Sequence, residues 1–177
     1  MKLQFDNYCI RDFLSEDVKS LVKYANNYAV SRFLRDAFPH PYTKENAEQW
    51  INFVTQDGFN LAFAIADENE LIGGIGAMTN QDVNRFTSEI GYWLAEPFWN
   101  KGIITKAVRT FCDFLFINYN FNHLTASIFE GNDASIRVVQ KVGFVLEGVL
   151  RKHVFKENRF LDQYIYGLLK EDFKYDR

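Results

Sequence analysis

Apolar and polar positions alternate along this chain with two periods, and the switches between them mark its elements. Residues 7–13 set Tyr8 and Ile10 against Cys9, Arg11 and Phe13, the period of a half-buried strand. Ser15 is then offered as a helix cap, and Val18, Leu21, Val22 and Ala25 recur at helical spacing until Asn26-Asn27 weakens the end. A short helical piece over 28–34 leads into Phe38-Pro39-His40-Pro41-Tyr42, where two prolines enforce an extended segment. Thr43 caps the next helix, whose inward stripe is Ala47, Trp50, Ile51 and Val54 and which stops by Gly58.

From Leu61 the period returns to two. Leu61, Phe63 and Ile65 alternate with alanines, Asp67-Glu68-Asn69-Glu70 turns the chain, and 71–78 forms a returning strand. Gly73, Gly74 and Gly76 in that strand permit close backbone approach or a bulge. A third strand over 86–94 suggests an antiparallel meander. A long amphipathic helix follows, with Ile104, Ala107, Val108, Phe111 and Leu115 on one face, ended by Asn118-Tyr119-Asn120. Leu124, Ala126 and Ile128 mark another strand, and the strand, helix, strand order implies that the two flanking strands pair in parallel. Asn132 caps a helix carrying Ile136, Val139 and Val142, closed by Gly143. Strands over 144–150 and 161–169, joined across Lys156-Glu157-Asn158-Arg159, complete one α+β domain over residues 1–177.

Composition narrows the function. The chain has 177 residues, 47% of them apolar, which suits one domain with a sizeable and unusually aromatic core, including 18 Phe and 9 Tyr. A net charge of −3 argues against a nucleic-acid partner and favours a cationic substrate such as an amine. Cys9 and Cys112 suggest core thiols in a reducing compartment rather than a disulfide scaffold. With three scattered His they offer no zinc spacing, so no metal is expected. Neither a signal peptide nor an apolar run long enough to span a membrane is evident, which points to the cytoplasm.

The candidate chemistry centres on residues 89–105. Glu89-Ile90-Gly91-Tyr92-Trp93-Leu94 reads as a strand, and Trp99-Asn100-Lys101-Gly102-Ile103-Ile104-Thr105 as a tight loop opening the long helix. The first amides of a helix lack intrahelical acceptors, so a glycine loop beside Lys101 forms a phosphate cradle. Neither the dinucleotide fingerprint nor the P-loop pattern occurs. The stretch resembles the acetyl-CoA-binding motif of the GNAT acetyltransferases, with Phe98 or Trp99 where Gln or Arg often stands and Ile104 in place of Gly or Ala. It is most similar to the Rim-type branch, the ribosomal-protein N-terminal acetyltransferases. A second segment, Asn132-Asp133-Ala134-Ser135 through Lys141-Val142-Gly143-Phe144, resembles the branch's pantetheine-lining helix, and residues 158–166 resemble its closing hairpin.

The resemblance implies a mixed, mostly antiparallel sheet of six to seven strands with a splayed parallel pair, flanked by four to five helices. It implies acetyl-CoA as cosubstrate, held by Asn100, Lys101, Gly102, Ile103, Ile104, Thr105 and Asn132, with backbone groups of Trp93 and Leu94 on the pantetheine. Acetyl would pass directly to a primary amine, with a protein N-terminal α-amine, a polyamine and an aminoglycoside all open as acceptors. Glu89 is the candidate base, against a solvent-facing or salt-bridged carboxylate near a strand end. Many relatives protonate the thiolate with a Tyr on the second helix, where Val138-Val139 stand here. Ser135 is the candidate for that role and for cofactor contact, against an ordinary first-turn polar residue. His40 and His153 could each serve as a base at neutral pH, but with no evident carboxylate partner they read as structural or surface residues. The missing Tyr keeps open a non-catalytic CoA-binding module, and homodimer formation is left undecided.

Overall fold

A two-residue turn at Asp6 and Asn7, with Asp6 at φ 47°, folds the N-terminus into a hairpin. Strand β1 (Lys2–Phe5) pairs antiparallel with β2 (Tyr8–Arg11), Phe5 opposite Tyr8. The sequence expectation held only the second of these, because Lys2 and Gln4 interrupt the apolar pattern. The computed structural model describes residues 1–56 and 61–175. Among the described residues the sheet has eight strands instead of six to seven, in the order β1, β2, β3, β4, β5, β6, β8, β7. The others are β3 (Leu61–Ala66), β4 (Leu71–Thr79), β5 (Thr87–Leu94), β6 (His123–Phe129), β7 (Val145–Lys156) and β8 (Arg159–Leu169). Among the described residues five α-helices accompany them: α1 (Val18–Ala25), α2 (Tyr28–Ser31), α3 (Lys44–Thr55), α4 (Ile103–Asn118) and α5 (Asp133–Val142). Among the described residues no helix is long and apolar enough to cross a membrane.

The chain divides into two compact units, Met1–Gly76 with Tyr92–Ala107, and Ala77–Gly91 with Val108–Arg177. In the first, Ser15 does not cap the helix as its sequence suggests. Ser15–Asp17 is a turn of 3-10 helix, and the Asp17 carboxylate accepts from Leu14 N at 2.9 Å. The same carboxylate takes Arg11 Nη1 and Nη2 at 2.7 and 2.8 Å, satisfying a group only 4% exposed. Asn27, read as a helix terminator, caps α2 through Ala29 N, while Asn26 Oδ1 accepts from Tyr42 N. Thr43 caps α3 as its position predicts, in a reciprocal bond with Asn46. The stop at Gly58 lies outside the described residues. The core gathers Phe13, Leu21, Ala25, Tyr42, Ala47, Ile51, Ala64 and Leu71, with Phe38 and Trp93 packed against them. Trp50, expected on the inward stripe, is 37% exposed and turns its ring edge-on to Phe13.

In the second unit, β5 and β6 run parallel from Thr87↔His123 to Glu89↔Thr125, while β6 pairs antiparallel with β8 along its whole length. Strands β5 and β6 are the parallel pair that the resemblance implied. Ser88, Ile90, Leu124, Ala126, Ile128, Tyr166 and Leu168 are buried on one face of these strands. Helix α5 packs on β6 and buries Val138, Val139 and Val142. Asn132 caps α5 through Ser135 N at 3.2 Å, and Gly143 closes it at φ 117°. The last hairpin is longer than its alternation suggests, since β7 reaches Lys156 and turns at Glu157-Asn158. Its irregularities explain why: one residue too many at Glu147 and a wide excess between Leu150 and Val154 break the period of two. Asp162 anchors the second bulge, its carboxylate accepting from Lys152 N at 2.8 Å.

Candidate active site

Strand β5 enters the cradle through a close crossing that two glycines allow. A Cβ on Gly73 would lie 2.5 Å from the Trp93 carbonyl oxygen, and one on Gly74 2.6 Å from the Trp93 indole nitrogen. The chain then makes a 3-10 turn, Glu96–Phe98, whose donors Phe98 N and Trp99 N bond Ala95 O and Glu96 O. Trp99 folds its indole back, donating from Nε1 to Leu94 O at 2.7 Å. That bond amends the expectation that Leu94 offers unengaged backbone to a ligand, because one lone pair of its carbonyl is already used.

Asn100 and Gly102 both adopt positive φ, 59° and 75°, with Lys101 between them. Backbone of this kind turns successive N-H groups into one concavity. Gly102 O accepts from Lys106 N at 3.2 Å, the first bond of α4, so the amides of Ile103, Ile104 and Thr105 precede the first intrahelical donor. A Cβ at Gly102 would meet nothing within 4 Å, leaving the mouth of the concavity open. Lys101 Nζ lies 5.5 Å from the Phe98 ring centroid, and Lys106 is occupied by Asp6 at 2.5 Å. Ile103 is buried while Ile104 is only half-buried, so the apolar anchor of this first turn is one residue earlier than the periodicity suggests. The loop fits a diphosphate: open, positively poled and lined by main-chain donors.

The second unit holds the other candidates. Glu89 is half-buried on β5, opposite Thr125 of β6. Gly131, at φ 86°, turns the chain from β6 into the cap of α5, where Asn132 and Ser135 are half-buried in the first turn. The Asn132 carboxamide oxygen is engaged by Ser135 N, so capping is a role the geometry itself shows. Val138 and Val139 are buried, and this turn of α5 presents no phenol. His40 lies against the Tyr28 ring at 5.9 Å, and His153 is exposed on β7. A pairing that sequence reading missed joins His123 to Glu147, Nε2 to Oε1 at 3.0 Å. The only sequence signals for it are Glu147-Gly148 and an isolated Gly167 inside a strand.

Residues 7–145 match the family model of the acetyltransferase (GNAT) domain. The chain belongs to the GNAT family of acetyltransferases and is an acetyl-CoA-dependent N-acetyltransferase. It is 29% identical over 175 residues to the N-acetyltransferase p20 of Bacillus licheniformis, covering 97% of each chain. It is 32% identical to the ribosomal-protein-serine acetyltransferase of Escherichia coli, over 63% of this chain and 62% of that one. The ribosomal L7/L12 α-N-protein acetyltransferase RimL, solved with coenzyme A, has the same fold at a TM-score of 0.85, with 19% identity over 96% of this chain and 98% of that one.

Proposed function

We propose that the chain passes acetyl from acetyl-CoA directly to a primary amine, with a protein N-terminal α-amine as the acceptor class. The observation that carries the donor half is the loop at Asn100 to Gly102, whose two positive φ angles aim main-chain amides out of the start of α4. The acceptor class is supported by the relatives named for ribosomal-protein acetylation.

Bound acetyl-CoA supplies an activated thioester. The amides of residues 101–105 hold its diphosphate, with Asn100 and Gly102 setting the turn, and Trp93, Leu94 and Asn132 contact the pantetheine. An alkylammonium is nearly all protonated at neutral pH, so the acceptor must lose a proton before its nitrogen can attack. Glu89 takes that proton, directly or through one water. As the C-N bond forms and the C-S bond breaks, the Ser135 hydroxyl donates a hydrogen bond to the departing sulfur and stabilises its charge until the second proton shed by the nitrogen reaches it as the thiol.

The buried Val138-Val139 pair favours a second reading, a CoA-binding module without turnover. Release of free thiol from acetyl-CoA, measured against a panel of N-terminal peptides, diamines and aminoglycosides, separates the two. Turnover with peptides is the expected result, and tight CoA binding without turnover on any amine would establish the module. Gly102→Glu is expected to abolish CoA binding by calorimetry while the circular dichroism spectrum stays unchanged, since its side chain enters open space and repels the diphosphate.

A further inference from the structure

We propose that Glu147 is a specificity-determining residue that binds a second positive charge on the acceptor, so that the enzyme prefers amines carrying two cationic groups. The inference rests on the reading of Glu89 as the residue that receives the reacting amine.

Three features together place this carboxylate. The ladder of β7 with β8 passes from Leu146↔Tyr166 to Gly148↔Ile165, leaving Glu147 as the extra residue of a bulge. Bulges re-aim a side chain, and this one reaches inward. Its carboxylate occupies the place of a missing side chain, since a Cβ built on Gly167 would lie 2.2 Å from the carboxyl carbon of Glu147. Gly167 is opposite Thr125, and Thr125 is opposite Glu89. Residues opposite one another in a ladder project to the same face. Glu147 therefore delivers its charge to the face that bears Glu89, one strand beyond Thr125. The backbone positions of Glu89 and Gly167 are two strand spacings apart, about 10 Å.

That face carries several polar side chains. Thr87, Glu89, His123, Thr125 and Ser127 are half-buried there, whereas Ser88, Leu124, Ala126 and Leu168 on the reverse are buried. His123 Nε2 lies 3.0 Å from Glu147 Oε1, yet it is shut from solvent and makes no hydrogen bond among the described residues. The imidazole thus flanks one carboxylate oxygen and leaves most of its acceptor capacity to a ligand. The contact of His123 with Glu147 makes no hydrogen bond, so fold stability is a poor account of a bulge and a glycine both serving it. An aliphatic amine with its reacting nitrogen at Glu89 would extend across Thr125 and set a second ammonium against Glu147, a charge-assisted contact.

Calorimetric titration of the full chain, saturated with CoA, with putrescine and with butylamine tests this. The wild-type protein is expected to bind putrescine at least about tenfold more tightly than butylamine. Glu147→Gln is expected to erase the difference by weakening putrescine alone. Gly167→Ala should do the same, because its methyl displaces the flexible end of Glu147 and leaves the backbone in place. No preference in the wild type, a preference that survives Glu147→Gln, or equal weakening of both amines would overturn the assignment. Thiol release is followed separately: a Glu147-dependent diamine that binds but is never acetylated supports the Glu147 assignment and refutes the catalytic reading of Glu89.

Discussion

Ser135 combines a structural and a chemical assignment that substitution can separate. Its backbone N-H serves the cap, and that bond survives removal of the hydroxyl. Ser135→Ala is therefore expected to lower kcat about tenfold or more while CoA affinity stays within a factor of two or so. An equal loss in both would make the hydroxyl a binding group. Glu89→Gln keeps the shape and removes the base, so kcat should fall about a hundredfold with CoA affinity unchanged, read by single-turnover thiol release. Asp17 contributes to stability instead. Asp17→Ala strands the Arg11 guanidinium beside a lost partner and frees Leu14 N, for an expected destabilisation of about 3 kcal/mol in urea unfolding. None of the three assignments is visible in the same way from the chain alone. Ser135 and Glu89 could be placed by motif, whereas Asp17 follows Ser15 so closely that the hydroxyl took the capping role in a reading by residue type.

Elements with a strong period were legible, and those with bulges were not. The stripe of α4 follows its apolar spacing from Ala107 onward and that of α5 at Val139 and Val142, while Ile104 and Ile136 are only half-buried, and Gly143 takes the left-handed geometry its position demands. Strand β7 could be read only to residue 150, because Glu147 and residues 151–153 each shift the faces and the alternation collapses. The carboxylate at Gly167 was illegible for the same reason: its neighbour is set by register and not by sequence distance. Gly73 shows the converse, a sequence signal with a definite packing cause. Gly73→Ala forces its methyl against the rigid Trp93 carbonyl oxygen, and the expected cost is about 2 kcal/mol, measured as a lower urea midpoint. Gly74→Ala would press on the Trp93 indole, itself packed against the core, and should also lower the urea midpoint.

Across the whole molecule, pH sensitivity has two identifiable limbs. Burial pushes the Tyr42 phenol up to about 12 from 10.0, so the folded state holds that proton more tightly than the unfolded one. Its contribution is complete below the unfolded value and is lost as pH rises through the folded one. Stability should fall by about 2 kcal/mol or less between pH 10 and 12, and Tyr42→Phe should flatten that decline. At the other end, the Lys23 ammonium, with Tyr24 and Ser20, holds the Glu70 carboxyl below its ordinary value. That contribution is present above the unfolded value and lost as pH falls through the lowered one, so Glu70→Gln should blunt the acid limb. The fold as a whole was legible as an α+β sheet with one parallel pair, because strand, helix, strand order leaves few topologies. The extra N-terminal strand escaped because a hairpin of four residues a side carries too little pattern to register.

The indole of Trp99 gives the molecule an optical use. The residue is 38% exposed and its ring is tethered to Leu94 O, directly ahead of the loop assigned to the diphosphate. Occupancy of that loop should change the polarity around this fluorophore and shift its emission. With Trp50→Phe removing an exposed background signal, cofactor arrival could be timed in a stopped-flow instrument without any added label.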